Sequence, residues 1–348
     1  MTLQTFINLP PLLSEATAAV VADTNPREVN THAKNLHGLY MQPERREKSP
    51  LLRSTKDMLA YLSLRFPATY AQITSALLQV QERIPNWQPK TMLDLGCGPA
   101  TGIHAAKSVW PTIARATAID QESYFLTLGK ELMHGSKLNL EVNWIQQSVS
   151  RWSETADDET YDLVIVSSVI NELSGDTKNK LLDVLTRMKV GVVILLEPGT
   201  QHGFEIIQSC AERVAQDRKL IAPFIDNTFI KSESYWIHFS QRFTRPEFQR
   251  RVRQAMREGD EKASDWEDSK YCYVAFGSVT VEHMPYAVTI GSIERYHGYL
   301  IVPLLTAKGI EKVKVMKRHK DQYRFGKNLA WGETITNPSE LYFDKPSI

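Results

Sequence analysis

The chain has 348 residues, 42% of them hydrophobic, and a formal net charge of +1 at pH 7. This length exceeds that of one typical core and predicts two domains with an additional helical segment. No apolar run approaches the roughly 18 residues that a membrane-spanning helix needs, so a membrane partner is not expected.

The N-terminus and the cysteines bear on the cellular compartment. Residues 1–11 lack both a basic-then-apolar signal peptide and an arginine-rich amphipathic transit sequence. Cys97, Cys210 and Cys272 are odd in number and far apart, which argues against a disulfide framework and a Cys-x-x-Cys metal site. We therefore expect a bacterial protein of the cytoplasm, with a mitochondrial location as the less favoured alternative.

Residues 1–86 are predicted to form a helical N-terminal segment. A capping start at residues 54–57 begins one helix, and Pro67 ends it and opens a second helix that stops before Pro85. A basic cluster precedes them and indicates a solvated linker or, alternatively, an RNA contact. Its members are Arg45, Arg46, Lys48 and Arg53.

Residues 87–260 are predicted to form an α/β core. Predicted strands alternate with helices from residue 91 to about 224, which indicates a mostly parallel sheet with helices on both faces. The predicted strands are residues 91–95, 115–119, 140–145, 163–166 and 190–196. Because ligands bind such sheets at the carboxyl ends of the strands, the residues that follow each strand are the site candidates.

The first strand runs into a glycine-rich turn, Leu93-Asp-Leu-Gly-Cys-Gly-Pro99. Gly96 and Gly98 allow a tight turn with positive φ and a close approach to a ligand. The next glycine is Gly102, so the Gly-x-Gly-x-x-Gly spacing of dinucleotide loops fails. The stretch resembles instead the first motif of class I methyltransferases, which hold S-adenosylmethionine (SAM) at this turn.

Further cofactor contacts are predicted at the same edge of the sheet. Asp94 precedes the turn and Asp120 closes the second strand, where an acid suits ribose hydroxyls. Cys97 is interpreted as a small side chain packed in the turn. Gln147 and Ser148 are predicted either to bind the adenine edge or to meet water. The complete set of predicted cofactor residues is Asp94, Gly96, Cys97, Gly98, Asp120, Gln147, Ser148 and Ser167.

Three polar residues are the catalytic candidates. Asn171 and Glu172 follow the fourth strand, where the methyl acceptor usually lies in class I methyltransferases, and their alternative role is helix capping. Glu197 follows the fifth strand. None of the three is diagnostic of a particular acceptor.

Two basic stretches predict contact with RNA. Thr244-Arg-Pro-Glu247 is a capping box that opens a helix, and six arginines between Arg242 and Arg257 face the single acid Glu247. A lysine-rich hairpin lies in the C-terminal region. The RNA candidates are Arg245, Arg250, Arg253, Lys312, Lys314 and Lys317. The alternative is that both stretches are ordinary solvated faces.

Residues 261–348 are predicted to form a β-rich basic domain of OB-like type. The predicted strands cover residues 270–280, 286–294, 299–305 and 311–316, and Ala307-Lys-Gly309 is predicted to join the last two as a hairpin turn. Strands of this number and length indicate a small barrel of the oligonucleotide-binding (OB) type, although their spacing alone does not establish it.

Several segments together resemble one family, the methyltransferase-like proteins associated with assembly of the small ribosomal subunit, best known from mitochondria and with bacterial relatives. The similarity runs from about residue 60 to residue 333. Its carriers are Phe66-Pro-Ala-Thr-Tyr70, the glycine-rich turn, Asn171-Glu-Leu173, Glu197-Pro-Gly-Thr200, Ala222-Pro223, Trp236, His238-Phe-Ser-Gln-Arg242 and Ala330-Trp-Gly332.

The resemblance implies a class I methyltransferase (Rossmann-like) fold, SAM as cofactor, and small-subunit ribosomal RNA or the immature small subunit as partner. It implies an enzyme that methylates an RNA base of that subunit. The alternative is a non-catalytic assembly factor that binds SAM and ribosomal RNA.

The sequence departs from the family at positions where relatives carry cysteines that look like iron–sulfur ligands. Apolar residues occupy the corresponding positions, which are Phe224, Phe229 or Ile230, Ile237 and Leu305. A cluster needs thiolates, so neither an iron–sulfur cluster nor structural zinc is expected. His238 is then predicted to be structural or to face RNA rather than to bind a metal.

Overall fold

The computed structural model describes residues 6–29, 31–32, 54–156, 159–225, 236–255 and 264–341. The basic cluster at residues 45–53 therefore lies outside the described residues, as do Phe229, Ile230 and Arg257. Within them the chain forms one large mixed sheet flanked by helices and a second, smaller sheet.

Among the described residues before the main sheet are the helices α1 (Pro11–Val20), α2 (Thr55–Leu64) and α3 (Phe66–Arg83). Ser54 caps α2, since its Oγ accepts a hydrogen bond from the backbone N–H of Asp57 at 3.2 Å. Pro67 lies in the first turn of α3, where its missing N–H costs no hydrogen bond. The predicted helix boundary at this proline is confirmed.

Helix α3 is part of the core rather than of a separate segment. Its side chains are buried almost along its whole length. The fully buried guanidinium of Arg83 donates hydrogen bonds of 2.6–2.7 Å to the carbonyl oxygens of Ile221, Pro223 and Phe224. A buried arginine whose N–H groups meet backbone acceptors fastens α3 to the far side of the main sheet.

The main sheet begins with five parallel strands: β1 (Thr91–Leu95), β2 (Arg115–Asp120), β3 (Glu141–Gln146), β4 (Thr160–Ser167) and β5 (Lys189–Pro198). Three further strands complete it: β6 (Lys219–Ala222), β7 (Phe239–Thr244) and β8 (Trp266–Gly277). The order is β3-β2-β1-β4-β5-β8-β6, with β7 paired to β8. The predicted mostly parallel α/β core is confirmed.

Helices alternate with these strands. They are α4 (Thr101–Val109), α5 (Ser123–Gly135), α6 (Val149–Thr155), α7 (Gly175–Arg187), α8 (Gln201–Val214) and α9 (Glu247–Ala255). Since each crossover returns the chain to a parallel strand, the carboxyl ends of β1 to β5 all lie at one edge, which we call the carboxyl edge. No helix among the described residues is both long and apolar enough to cross a membrane.

Strand β8 corrects the predicted domain boundary at residues 260/261. It lies between β5 and β6 and pairs antiparallel with β5 from Val192 opposite Gly277 to Pro198 opposite Tyr271. Residues 271–277 are all buried, which is the pattern of an interior strand covered on both faces. Strand β8 therefore belongs to the main sheet and not to a separate C-terminal domain.

The second sheet consists of β9 (Ala287–Thr289), β10 (Glu294–Tyr296), β11 (Tyr299–Thr306), β12 (Gly309–Met316) and β13 (Thr334–Ile335). The β11–β12 hairpin predicted around residues 307–309 is confirmed by its register. Strand β12 lies on one side of β11, while β10 and β9 lie on the other, with β13 beyond β9.

The predicted OB-type barrel is not formed by the described residues. Their strand pairs follow an open path and do not close into a ring. The physical reason is strand length, because β9, β10 and β13 have two or three residues each and cannot stagger around a barrel. One face of the sheet instead buries an apolar cluster that includes Leu300, Val302 and Val315, with Tyr323 and Phe325 of α10 (Lys320–Asn328) against it.

Candidate functional site

The glycine-rich turn after β1 has the positive φ angles that its sequence predicts. Gly96 has a φ of +69° and Gly98 of +51°. A Cβ on Gly96 would overlap Cγ2 of Val169, so this glycine is needed for packing. A Cβ on Gly98 would meet no atom within 4 Å, so this glycine faces open space. The turn is therefore closed on one side and open on the other.

Two buried acids flank the turn. Asp94 is 2% exposed, and its Oδ2 accepts no hydrogen bond within the described residues. The carboxylate of Asp120 accepts from the backbone N–H of Gly98 and from that of Glu122, both at 2.8 Å. Burial raises the pKa of Asp94 to about 7, with the charge of Asp120 adding to it, and raises the pKa of Asp120 to about 6.

Gly102 explains why the third glycine of the motif is required in this chain. A Cβ at this position in α4 would lie 2.6 Å from Oδ2 of Asp94. The helix thus approaches the carboxylate closely, and the nearby N–H groups of Gly102 and Ile103 favour its charged form without offsetting the cost of burial. These contacts place the buried carboxyl group of Asp94 at the N-terminus of α4.

The catalytic candidates Asn171 and Glu197 are bound to each other. Glu197 is fully buried, and its Oε1 accepts from the backbone N–H groups of Ile170 and Asn171 at 2.9 and 3.3 Å. Its Oε2 accepts from Nδ2 of Asn171. Burial raises the pKa of Glu197 to about 8 although these donors lower it. The pair holds the turn after β4, which continues into Glu172.

The remaining predicted cofactor residues have mixed environments. The backbone N–H of Gln147 donates to the carbonyl of Asp120 at 3.0 Å, which joins the ends of β2 and β3. Ser148 caps α6, because its Oγ accepts from the backbone N–H of Arg151. The hydroxyl of Ser167 is buried and has no hydrogen-bond partner in the part of the chain described. Cys97 is buried, and burial raises the pKa of its thiol.

Helix α2 contributes a residue to this edge that the sequence analysis missed. Tyr61 packs edge-on against Phe125 with ring centroids 4.9 Å apart. Burial raises the pKa of Tyr61, and the charges of Asp120 and Glu172 raise it further. The charges of two acids of the carboxyl edge, Asp120 and Glu172, thus act on the Tyr61 hydroxyl. Helical periodicity marks an apolar face on α2 but carries no signal of what that face covers.

Four arginines of the stretch around α9 are paired with acids in β8 or directly before it. Arg245 contacts Glu267 at 3.0 Å and donates to the carbonyl oxygen of Ser264 at 2.6 Å. Arg253 contacts the same carboxylate at 3.3 Å, and Arg250 contacts Asp265 at 3.2 Å. A fourth pair, Arg242–Asp268, is bidentate with both contacts at 2.8 Å. The local excess of arginine is offset by acids from the next strand.

The lysine-rich hairpin, β11 with β12 and the residues to Lys317, is differently arranged. Lys312 lies 3.3 Å from the exposed carboxylate of Glu294. The Nζ atom of Lys314 lies 4.3 Å from the centre of the Tyr299 ring. Lys317 is exposed just beyond β12. These lysines keep much of their charge accessible to solvent.

A family model described as "Mitochondrial small ribosomal subunit Rsm22" matches residues 55–336. The chain belongs to the Rsm22 family. The match confirms the resemblance inferred from the sequence motifs, and it begins at α2, so the helices that pack on the core are included.

Two curated relatives are similar over about half of the chain. The ribosome assembly protein METTL17, mitochondrial, of Homo sapiens is 22% identical over 163 residues, which cover 46% of this chain and 36% of that protein. The Rsm22-cox11 tandem protein 2, mitochondrial, of Schizosaccharomyces pombe is 24% identical over 182 residues, covering 50% and 24%. The chain thus spans well under half the length of either relative.

One solved structure similar to this chain is the plantazolicin methyltransferase BamL in complex with a triazolic desmethylPZN analogue and SAH. It is 11% identical, with a TM-score of 0.41, and the match covers 72% of this chain and 99% of that chain.

The predicted bacterial, cytoplasmic location is contradicted, because the family and both curated relatives are described as mitochondrial.

The positions compared with iron–sulfur ligands in the family are apolar and buried where they are described. Phe224, Ile237 and Leu305 are each at most 3% exposed and belong to the main core cluster. His238 stacks on Trp236 with ring centroids 3.8 Å apart and lies 4.8 Å from Trp331. No group of three metal-binding side chains occurs among the described residues. The absence of a cluster in the protein stays a prediction.

Proposed function

We propose that this chain binds SAM at the carboxyl edge and acts in assembly of the small ribosomal subunit by contacting its RNA. The observation that carries the proposal is the open turn at Gly98, which lies between the buried acids Asp94 and Asp120. The names of the matched family and of its human relative support the ribosomal part.

The residues at this edge fit the chemistry of SAM. The turn leaves backbone space at Gly98, as a ligand in close contact requires. The Asp120 carboxylate accepts two N–H groups and has further lone pairs for ribose hydroxyls. The unpartnered hydroxyl of Ser167 is a third polar group at the same edge. Gln147, Ser148 and the turn residue Cys97 complete the proposed contacts.

The mutual contacts of two catalytic candidates support the non-catalytic assembly factor. Both carboxyl oxygens of Glu197 already accept hydrogen bonds from Ile170 and Asn171, which gives this buried residue a structural role. Its role in the described chain is to hold the turn after β4. Glu172, the third catalytic candidate, directly follows Asn171 in the same turn.

Methyl transfer to RNA is the second candidate, and the methyltransferase-type turn supports it. Bound SAM supplies an electrophilic methyl group, and its transfer depends mainly on positioning an acceptor within roughly 3–3.5 Å. A dedicated base is therefore not required. The role left to this chain would be to hold the acceptor at the edge near Glu172 and Tyr61.

Calorimetric titration with SAM tests the cofactor site. The wild-type protein should release measurable heat, and Gly98→Ala should bind at least tenfold more weakly because its methyl group occupies the open space. Gly298→Ala is the matched control, since Gly298 also has positive φ and open space around a Cβ. It should bind SAM normally. An absence of heat with folded wild-type protein would overturn the proposal.

Transfer of a labelled methyl group separates the two candidates. Immature small subunits are incubated with the protein and SAM that carries a labelled methyl group. Binding of the protein without label in the RNA supports the assembly factor. Label in the RNA that is lost in Glu172→Gln but retained in the control Glu205→Gln, an exposed acid on α8, supports the enzyme.

A further inference from the structure

The outer face of the second sheet carries two stacked tyrosines. Tyr296 on β10 lies directly opposite Tyr299 on β11, with ring centroids 4.8 Å apart and planes 12° from parallel. Leu300 and Val302 point to the opposite, buried face. Because side chains alternate along a strand, Tyr299 points away from the apolar cluster. Tyr296 is 46% exposed, so much of its ring is in water.

Lysines surround this tyrosine pair. Lys314 lies opposite Ile301 in the register of β11 and β12, and its Nζ is 4.3 Å from the centre of the Tyr299 ring. Lys312 lies one row further along the same face, and Lys317 follows the strand. Glu294 is the acid of this face, and its carboxylate already contacts Lys312.

Glu294 also fixes the orientation of Tyr296. The Tyr296 hydroxyl donates to Oε2 of Glu294 at 2.8 Å. The ring is therefore held in place before any ligand arrives, which lowers the entropy that binding would cost. Tyr296 is thus stacked on Tyr299, oriented by Glu294 and still 46% exposed beside several cations.

We propose that this face binds unpaired RNA bases, with one base stacked on Tyr296 and the adjoining phosphates near Lys312, Lys314 and Lys317. Aromatic rings that stack on bases, combined with cations along the backbone, are the arrangement by which proteins bind single strands. Bases of a duplex are already stacked and paired, so the face selects single-stranded segments. The inference rests on the proposed RNA partner and names the part of the RNA that is recognised.

Binding of a fluorescently labelled oligouridine of about 12 nucleotides, measured by anisotropy, tests the inference. Tyr296→Ala should weaken binding about tenfold, because one stacked base is lost. Tyr296→Phe keeps the ring and should bind within about twofold of wild type. Tyr124→Ala removes a tyrosine of similar exposure, 44%, from α5 and serves as the matched control. It should bind like wild type.

Duplex RNA and salt distinguish stacking from charge. Tyr296→Ala should leave duplex binding unchanged and should leave the salt dependence of oligouridine binding unchanged, since no cation is removed. Equal weakening for single-stranded and duplex RNA would overturn the inference, as would unchanged oligouridine binding by Tyr296→Ala. A thermal transition like that of wild type shows that each variant is folded.

The same experiment separates this inference from the proposed function. If the wild-type protein binds oligouridine and Tyr296→Ala binds it equally well, the tyrosine face is wrong and the proposed function stands. If the wild-type protein binds neither oligouridine nor ribosomal RNA fragments, the RNA part of the proposed function fails and this inference fails with it.

Discussion

The arginine stretch of α9 and the lysine-rich hairpin look alike in sequence but differ in the structure. Arg242, Arg245 and Arg253 contact carboxylates at the start of β8, and Arg250 contacts that of Asp265 directly before it. In the hairpin, Lys312 has a carboxylate partner, and Lys314 lies over an aromatic ring. The positive charge of these four arginines is therefore largely offset by nearby carboxylates. The positive charge of the hairpin lysines is not.

The difference arises from strand pairing. Strands β7 and β8 place Arg242 opposite Asp268 and Phe243 opposite Glu267. The acids that neutralise the arginines are therefore more than ten residues away in sequence but adjacent in space. Counting charges within one segment overestimates its field whenever the next strand supplies the opposite sign. We expect the arginines to contribute to stability and the lysines to RNA binding.

The largest expected effect on stability comes from a third set of charges, the buried acids of the carboxyl edge. Unlike the two basic stretches, these acids are enclosed by the core. A carboxyl with a raised pKa keeps a proton in the folded protein that the unfolded chain releases, so stability falls as pH rises from the unfolded toward the folded pKa. With pKa values of about 7 for Asp94 and about 8 for Glu197, the unfolding free energy should fall by about 5 kcal/mol between pH 5.5 and 8.5.

Urea unfolding at the two pH values measures this fall. Glu197→Gln, which cannot ionise, should show a clearly smaller fall, whereas the neighbouring Glu172→Gln should show the wild-type fall. An equal fall in wild type and Glu197→Gln would mean that Glu197 is already ionised at pH 5.5.

The next effect in size should come from the acid that the arginines share. Glu267→Gln leaves Arg245 and Arg253, which are 13% and 33% exposed, without their charged partner, and should lower stability by about 2 kcal/mol. The control Asp265→Asn breaks an exposed pair with Arg250 and should change stability little. Chemical denaturation measures both. Similar losses in the two variants would contradict the structural role assigned to Glu267.

The smallest expected change in stability accompanies a change in RNA binding. Replacing Lys312, Lys314 and Lys317 with alanine should leave stability nearly unchanged, because their side chains are largely solvated. The slope of log affinity against log salt for single-stranded RNA should decrease by about 2, at roughly 0.7 for each phosphate that is no longer neutralised. An unchanged slope would place RNA elsewhere, including the basic residues at positions 45–53.

The sequence by itself determined the parts of this protein that depend on local backbone requirements. Glycine tolerates positive φ angles, and Gly96 and Gly98 adopt them in the turn after β1. The five parallel strands correspond to apolar runs separated by helices. The motifs around them also identified the family correctly. These features are encoded within short stretches, so periodicity and turn chemistry reveal them.

Only the tertiary structure decided which distant residues meet. Strand β8 joined the main sheet because its apolar residues on both faces need covering, although its position in the chain favoured the C-terminal domain. Glu197 is hydrogen-bonded to Asn171, and the arginines contact acids near the start of β8. Residues that the sequence suggested for catalysis or RNA binding therefore make structural contacts in the fold. The roles of Tyr61 and Tyr296 depend on neighbours from other elements. Pairing across strands and burial of charge depend on the whole fold, which local patterns do not contain.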